Sequence, residues 1–480
     1  MGKDMEEGTS APPESAKRGV GAAVVVVVAI VVFVAGFVGG LFSAPLVFPG
    51  PEAQQLRMGT ILGKTGGLSA FGPNNEQGAL LAVEQINEAG GVFDQDILMW
   101  NEDSQTLPDV ARDVANKLVT TNRVTAIVGA TGSGNCLTVI EVAKANDVFQ
   151  MSGSCTSPIF SDPVVNGGWF ARTAPSDALQ GVVAGHYAKN VANFNNMAVI
   201  GINNPYGTGL ADIFASTFET LGGTITKNQI VTEVGQGALT YIPDLDAVFA
   251  TSPEAIYLVA YPPDAVLMYQ EYFEGAYPAI QWIFSEGVFD QSNFIDELVS
   301  RNVDVSDFLG TAPGAFGGIT GPRFDTWAAD YEARWGNAPG LFDDNVYDAT
   351  FLIALAAQAA GDSSGASIRD NIPNVANPPG TTILPGEWEK ALTELGAGRA
   401  INYEGASGAA DLDEFGDPVN SAYVVWAVDA NNVLFNLQVF DEDEVQTIVD
   451  GLAPSGAPPA QVASGLVIGL FERFAPFRNN

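Results

Sequence analysis

Residues 125–158 confine the chain to one class of fold more tightly than any other stretch. Thr125-Ala126-Ile127-Val128 is an apolar run that closes on a turn of glycine, serine and threonine, residues 129–134, and a helical segment follows from Asn135. A second apolar run, residues 148–151, ends in another hydroxyl-rich turn, Ser152-Gly153-Ser154-Cys155-Thr156-Ser157. Strand, turn, helix, strand is the unit of a parallel α/β sheet. Ligands on such sheets bind beyond the carboxyl ends of the strands. The two turns are thus a candidate anion cradle, or else ordinary polar connections.

The same rhythm runs on both sides of this stretch. Strands are expected at 58–63 and 97–100, with helices at 77–89, stopped by Gly90-Gly91, and at 108–121, opened by Pro108. The pattern pauses at 170–175, where Ser176 reads as the N-cap of a helix reaching 190. It restarts with strands at 197–202, 225–231, 255–259 and 281–284, each followed by a turn or helix, which makes a second α/β lobe. Beyond Gly310-Thr311-Ala312-Pro313 come helices at 323–335, 346–360 and 388–395, a loop at 373–385, and a hairpin of strands 422–428 and 433–439. Residues 441–480 are acidic, then rich in Pro, Ala and Gly, and read as a linker or a peripheral helix.

The N-terminus points to the compartment. Residues 1–18 are polar and end in Lys17-Arg18, and no charged side chain appears from 19 to 50. About 20 apolar residues span a bilayer as a helix, and the basic pair before them favours a cytoplasmic tail with an exported remainder. The expectation is a single-pass anchor at 19–45, with cleavage near Ser43-Ala44-Pro45 as the other reading.

Charge excludes one class of function. Lys and Arg number 20 against 56 acidic residues, a net charge of −36, which repels nucleic acid. One histidine, His186, and two cysteines leave little material for a metal site, a cofactor or a His-dependent triad. Outside the membrane, Cys136 and Cys155 can either form a bridge across the two turns or remain buried thiols.

Other motifs are weaker. The glycines at 129, 132 and 134 fit neither a P-loop, which needs Lys after the last Gly, nor the dinucleotide spacing. Ser133 is not in a G-x-S-x-G elbow, and Asp411 to Asp417 has the wrong spacing for a calcium loop. Glu286 is more pointed: it follows a strongly apolar strand, where a buried carboxylate needs a cation or several donors. Phe71, Tyr206 and Tyr261 stand in or just after comparable turns.

With these residues set out, the chain resembles the type I periplasmic binding proteins, in the branch that binds leucine, isoleucine and valine for ABC importers. The likeness runs over about 57–439 and rests on GGLSAFGPNNEQGALLAVEQINEAGG, NED at 101–103, MSGSCTSP, NPYGTG at 204–209, SEG at 285–287, YEGASG at 403–408 and DEFGD at 413–417. It implies two Rossmann-like α/β lobes joined by three crossings, near 172–175, 310–313 and 405–417. The first lobe would take 57–173 with 312–405, the second 174–311 with 418–440, leaving 441–480 as a tail. It also implies a ligand site: Ser133, Ser154 and Thr156 for a carboxylate, Glu286 for an ammonium with Tyr206 nearby, and Phe71 and Tyr261 as walls. The chain departs from the pattern at Phe71, often Tyr in the family, at Cys155, and in having an anchor without a lipidated cysteine.

The function expected is therefore non-enzymatic. A monomeric solute-binding protein, with no cofactor and no metal, would capture an L-amino acid and present it to permease and ATPase subunits. The alternatives are an amide- or urea-binding relative or sensor of the same fold, and, remotely, a hydrolase using Ser133.

Overall fold

A computed structural model describes residues 55–314, 321–419 and 421–452; the expected anchor at 19–45 and residues 453–480 lie outside them. The first sheet contains β1 (Arg57–Leu62), β2 (Leu98–Asp103), β3 (Ala126–Gly129), β4 (Phe149–Ser152) and β5 (Phe170–Arg172). They pair in the order β2-β1-β3-β4-β5, all parallel, so their carboxyl ends share one edge. Between the strands run α1 (Gly72–Glu88), α2 (Pro108–Lys117) and α3 (Ser133–Ala145). Pro73 and Pro108 occupy first turns, where a missing N–H has no bond to lose. Leu81, Ala82 and Ile86 form the buried stripe of α1.

The chain then crosses over. After α4 (Asp177–His186), whose N-cap Ser176 accepts from Ala178 N–H, come β6 (Asn196–Ile202), α5 (Pro205–Thr220), β7 (Thr224–Val231), α6 (Ile242–Phe249), β8 (Ala255–Val259), α7 (Pro262–Glu274), β9 (Gln281–Phe284) and β10 (Leu309–Pro313). The expected crossing at 310–313 is thus a strand, parallel to β9. Gly310 belongs there because a Cβ would lie 2.1 Å from the Trp426 ring, a packing reason that a Gly- and Pro-containing run does not reveal.

The next helices, α8 (Pro322–Trp335), α9 (Asp343–Ala360), α10 (Gly365–Ala376) and α11 (Trp388–Gly396), return to the first sheet. Trp327, Tyr347, Phe351 and Trp388 share a core there with Met58, Ala126 and Met151. Gly78 lets α1 and α9 approach, since a Cβ would meet Asp343 O at 2.3 Å. The 373–385 stretch, expected as a loop, begins inside α10, whose last turn contains Pro373 and so lacks one backbone hydrogen bond. It then forms β11 (Thr381–Ile383), which pairs with β12 (Ile401–Tyr403) in a small parallel ladder. The hairpin β13 (Tyr423–Val428) and β14 (Leu434–Phe440) adds to the second sheet, β13 running antiparallel to β10. The order of that sheet is β14-β13-β10-β9-β8-β6-β7. Residues 442–452 are a helix, α12 (Glu442–Leu452), with Val445 and Val449 packed on Val182, Val183 and Tyr187 of the second lobe. Its acidic first turn suits the positive end of the helix dipole.

Candidate functional site

The carboxyl edges of the two sheets face one cleft, and its geometry is set by glycines and hydroxyls. β3 ends at Gly129 (φ 119°), and Gly132 (φ 85°) caps α3 at a position where a Cβ would lie 2.7 Å from Leu68. Ser133 thereby becomes the first residue of α3, beside N–H groups with no partner inside the helix. After β4, the Ser152 hydroxyl donates to Ala130 O (3.0 Å) and accepts from Ser154 N–H (3.1 Å) and Cys155 N–H (3.0 Å), which curls the second turn. Ser133 Oγ accepts from Ser157 N–H at 3.2 Å, tying the two turns. Cys136 and Cys155 tie them again by a disulfide, with Cα atoms 6.5 Å apart and 19 residues of separation. Both cysteines of the chain are therefore paired.

From the second lobe, Asn204 caps α5 by accepting from Gly207 N–H (2.9 Å) and so presents Tyr206. Tyr206 stacks on Tyr261, which precedes α7, with ring centroids 5.4 Å apart and planes within 3°. The Tyr206 hydroxyl lies 2.7 Å from Ser285 Oγ and accepts from Gly287 N–H at 3.2 Å, which fixes the turn carrying Glu286. Glu286 is 2 % exposed. Its Oε2 accepts from Gln180 Nε2 at 2.6 Å. Burial raises its pKa above the ordinary carboxylate range, against the pull of Gln180 and of backbone N–H groups toward the charged form.

Phe71, Ser133, Ser154, Thr156, Tyr206, Tyr261 and Glu286 all line one cavity that opens to solvent, with about 350 Å³ of empty space when its open mouth is included. Its lining thus combines hydroxyls that follow strands of the first sheet with a carboxylate that follows a strand of the second. The sequence reading missed Leu68, Thr131, Leu341 and Phe342, which also line it. Phe342 sits at φ 69°, in the left-handed region, just before α9. The turn is clamped by Asp343, which accepts from Asn75 Nδ2 (2.7 Å) and Gly340 N–H (2.6 Å). No local signal marks Leu341 and Phe342, which look like core residues. Asp177 was missed for a different reason: directly after the N-cap Ser176, it reads as an ordinary first-turn acid.

Asp177 is fully buried, and burial together with the nearby Glu286 pushes its carboxyl well above the usual range. Thr156 and Arg172 pull the other way, but no hydrogen bond of ordinary geometry reaches either of its oxygens. Arg172 is committed elsewhere. It pairs with Asp417 (2.6 Å) and donates to the carbonyls of Cys155 (3.0 Å) and Ser157 (2.9 Å), joining the end of β5 and the 413–417 turn to the turn after β4. No histidine lines the cavity, and among the described residues no group of three or more His, Cys, Asp or Glu could hold a metal.

A family model described as "Periplasmic binding protein" matches residues 55–430. The chain belongs to that family. This periplasmic binding protein is 26% identical, over 78% of its length and 88% of the relative's, to a chemotactic signal transduction system substrate-binding protein, BasB, of Halobacterium salinarum. It is 26% identical to the Leu/Ile/Val-binding protein homolog 1 of Brucella abortus, covering 81% of this chain and 95% of the relative. Its fold matches a leucine-binding protein, LivK, of Thermotoga maritima, with a TM-score of 0.66 at 22% identity over 81% of this chain and 99% of that one. It also matches a solute-binding protein of R. palustris in complex with benzoate, with a TM-score of 0.64 at 14% identity over 80% and 96%. The protein is thus a non-enzymatic, extracytoplasmic solute-binding protein of the ABC-transporter kind with the two-lobed type I fold, which sets aside a hydrolase built on Ser133. Among the described residues no helix is long and apolar enough to cross a membrane.

Proposed function

We propose that this binding protein captures an L-α-amino acid with an apolar side chain, branched-chain or another neutral one, and delivers it to the permease and ATPase subunits of an ABC importer. One observation carries the reading: the buried Glu286 carboxylate lines the same cavity as Ser133, Ser154 and Thr156, together with the apolar Leu68, Phe71, Leu341 and Phe342. Hydroxyls and helix N–H groups suit the ligand carboxylate, and Glu286 suits its ammonium. The Leu/Ile/Val-binding relative supports the same ligand class. The lobes, 57–173 with 312–405 and 174–311 with 418–440, close on the ligand by contacts made to both at once. The 19–45 run tethers the domain to the membrane.

A second reading keeps the ligand and changes the recipient: similarity to a chemotactic substrate-binding protein favours delivery to a signalling receptor. A thermal-shift screen with leucine, isoleucine, valine, phenylalanine, benzoate, acetamide and urea tests the ligand class. The aliphatic amino acids are expected to stabilise the protein by about 2.7 kcal/mol at a hundredfold excess over Kd. Stabilisation by benzoate, acetamide or urea with none by amino acids overturns the reading. Deleting the partner permease genes and measuring uptake against taxis separates the two recipients.

A further inference from the structure

Beside Glu286, the second lobe offers more hydrogen-bond acceptors than donors. Asp177 donates its backbone N–H to Thr156 O at 2.8 Å, which seats this fully buried residue against the ligand-facing turn of the first lobe. One helical turn on, Gln180 holds Glu286 through its Nε2. Three buried acceptor atoms in this group have no partner of ordinary hydrogen-bond geometry, both oxygens of Asp177 and Oε1 of Gln180, although the Thr156 hydroxyl lies by Asp177 and the Tyr257 hydroxyl by Gln180. Buried acceptors are ordinarily satisfied, so such a cluster marks a missing donor. The groups facing the two carboxylates are Arg172 and the hydroxyls of Thr156, Tyr206, Tyr257, Tyr261 and Tyr423. Arg172 contributes its field, but its N–H groups go to Asp417, Cys155 and Ser157, and to Ser161. Two neighbouring buried carboxylates without their own cation do not both ionise; they titrate as a pair.

We propose that Asp177 and Glu286 form one acid pair that holds a single proton while the cavity lacks a cation, and that a ligand's ammonium takes the place of that proton. The exchange balances: the ligand enters as R–NH₃⁺, the pair passes from one carboxylic acid and one carboxylate to two carboxylates, and the proton leaves to water. The three N–H groups of the ammonium supply the absent donors. Asp177 is then a specificity-determining residue that makes a cation obligatory. This inference rests on Glu286 as the ammonium anchor.

Proton counting on the full chain tests it. In ligand-free protein, potentiometric titration is expected to show a proton lost above neutral pH in the wild type and shifted to lower pH in both Asp177→Asn and Glu286→Gln. Calorimetry with leucine at pH 6, in two buffers of different ionisation enthalpy, is expected to show release of roughly one proton by the wild type and measurably less by Asp177→Asn. Leucine affinity should rise about tenfold per pH unit until the pair is fully ionised. Superimposable titration curves for the wild type and both variants overturn the acid pair whatever the ligand, and the two substitutions guard against misfolding of either one. A shifted titration with no leucine binding keeps the pair and overturns the amino-acid reading.

Discussion

Replacing Glu286 with glutamine isolates the charge of the proposed ammonium anchor from its shape. The amide is isosteric, and its oxygen can still accept from Gln180 Nε2, as Oε2 does now at 2.6 Å. Gln180 Oε1, which has no partner of ordinary hydrogen-bond geometry, can accept from the new NH₂ group. Removing a charge that burial disfavours therefore leaves the ligand-free protein as stable as before, or more so. Binding responds in the opposite direction. A hydrogen bond to a charged group contributes about 1.5–3 kcal/mol, and truncating a buried charged pair costs about 2–5 kcal/mol. A loss of about 2–4 kcal/mol follows, roughly 30- to 700-fold in Kd for leucine. Isothermal calorimetry at pH 7 measures it, with thermal unfolding of the ligand-free protein as the control. Affinity within about threefold of wild type would refute the ammonium assignment. A parallel fall in affinity and ligand-free stability would make Glu286 a structural residue instead.

Three further outcomes follow from the packing. Replacing both Cys136 and Cys155 with serine opens a loop of 19-residue separation, and the denaturant midpoint should fall by the equivalent of about 3 kcal/mol; equal midpoints would show that the hydrogen bonds between the turns suffice. Arg172→Met strands the Asp417 carboxylate, which is buried and paired at 2.6 Å, so urea unfolding should register a loss of about 3–5 kcal/mol, partly recovered when Asp417→Asn is added. Asp344, buried close to Asp348, has its carboxyl pushed up to about 8. The folded state then binds a proton that the unfolded state has released, so stability is greatest below the normal carboxylate range and declines as pH rises through about 8. Asp344→Asn should flatten that decline and leave the variant more stable than wild type at pH 9 by thermal unfolding; an unchanged pH profile would place the shift elsewhere.

Local chemistry makes much of this protein legible in its sequence. An apolar strand that runs into a Gly- and Ser-rich turn and then a helix is a short-range pattern, and parallel strands bring such turns to one edge. Ser133, Ser154, Thr156, Tyr206, Tyr261 and Glu286 all stand at or just after strand ends, which is why a linear reading can single them out. What lies far apart in the chain stays hidden. Leu341 and Phe342 reach the cavity only because α9 returns to the first sheet, and by themselves they look like any apolar pair. Gly310 sits in a strand because the Trp426 ring occupies the space beside it, and α12 is a helix whose value lies in covering α4. Asp177 is the sharpest case. Next to Ser176 it is a helix-capping acid, and only the folded chain buries it near Glu286 with no ordinary hydrogen bond to its oxygens. Strand, turn and helix preferences act over a few residues and survive in the sequence; burial and the meeting of two like charges exist only after the chain has closed on itself.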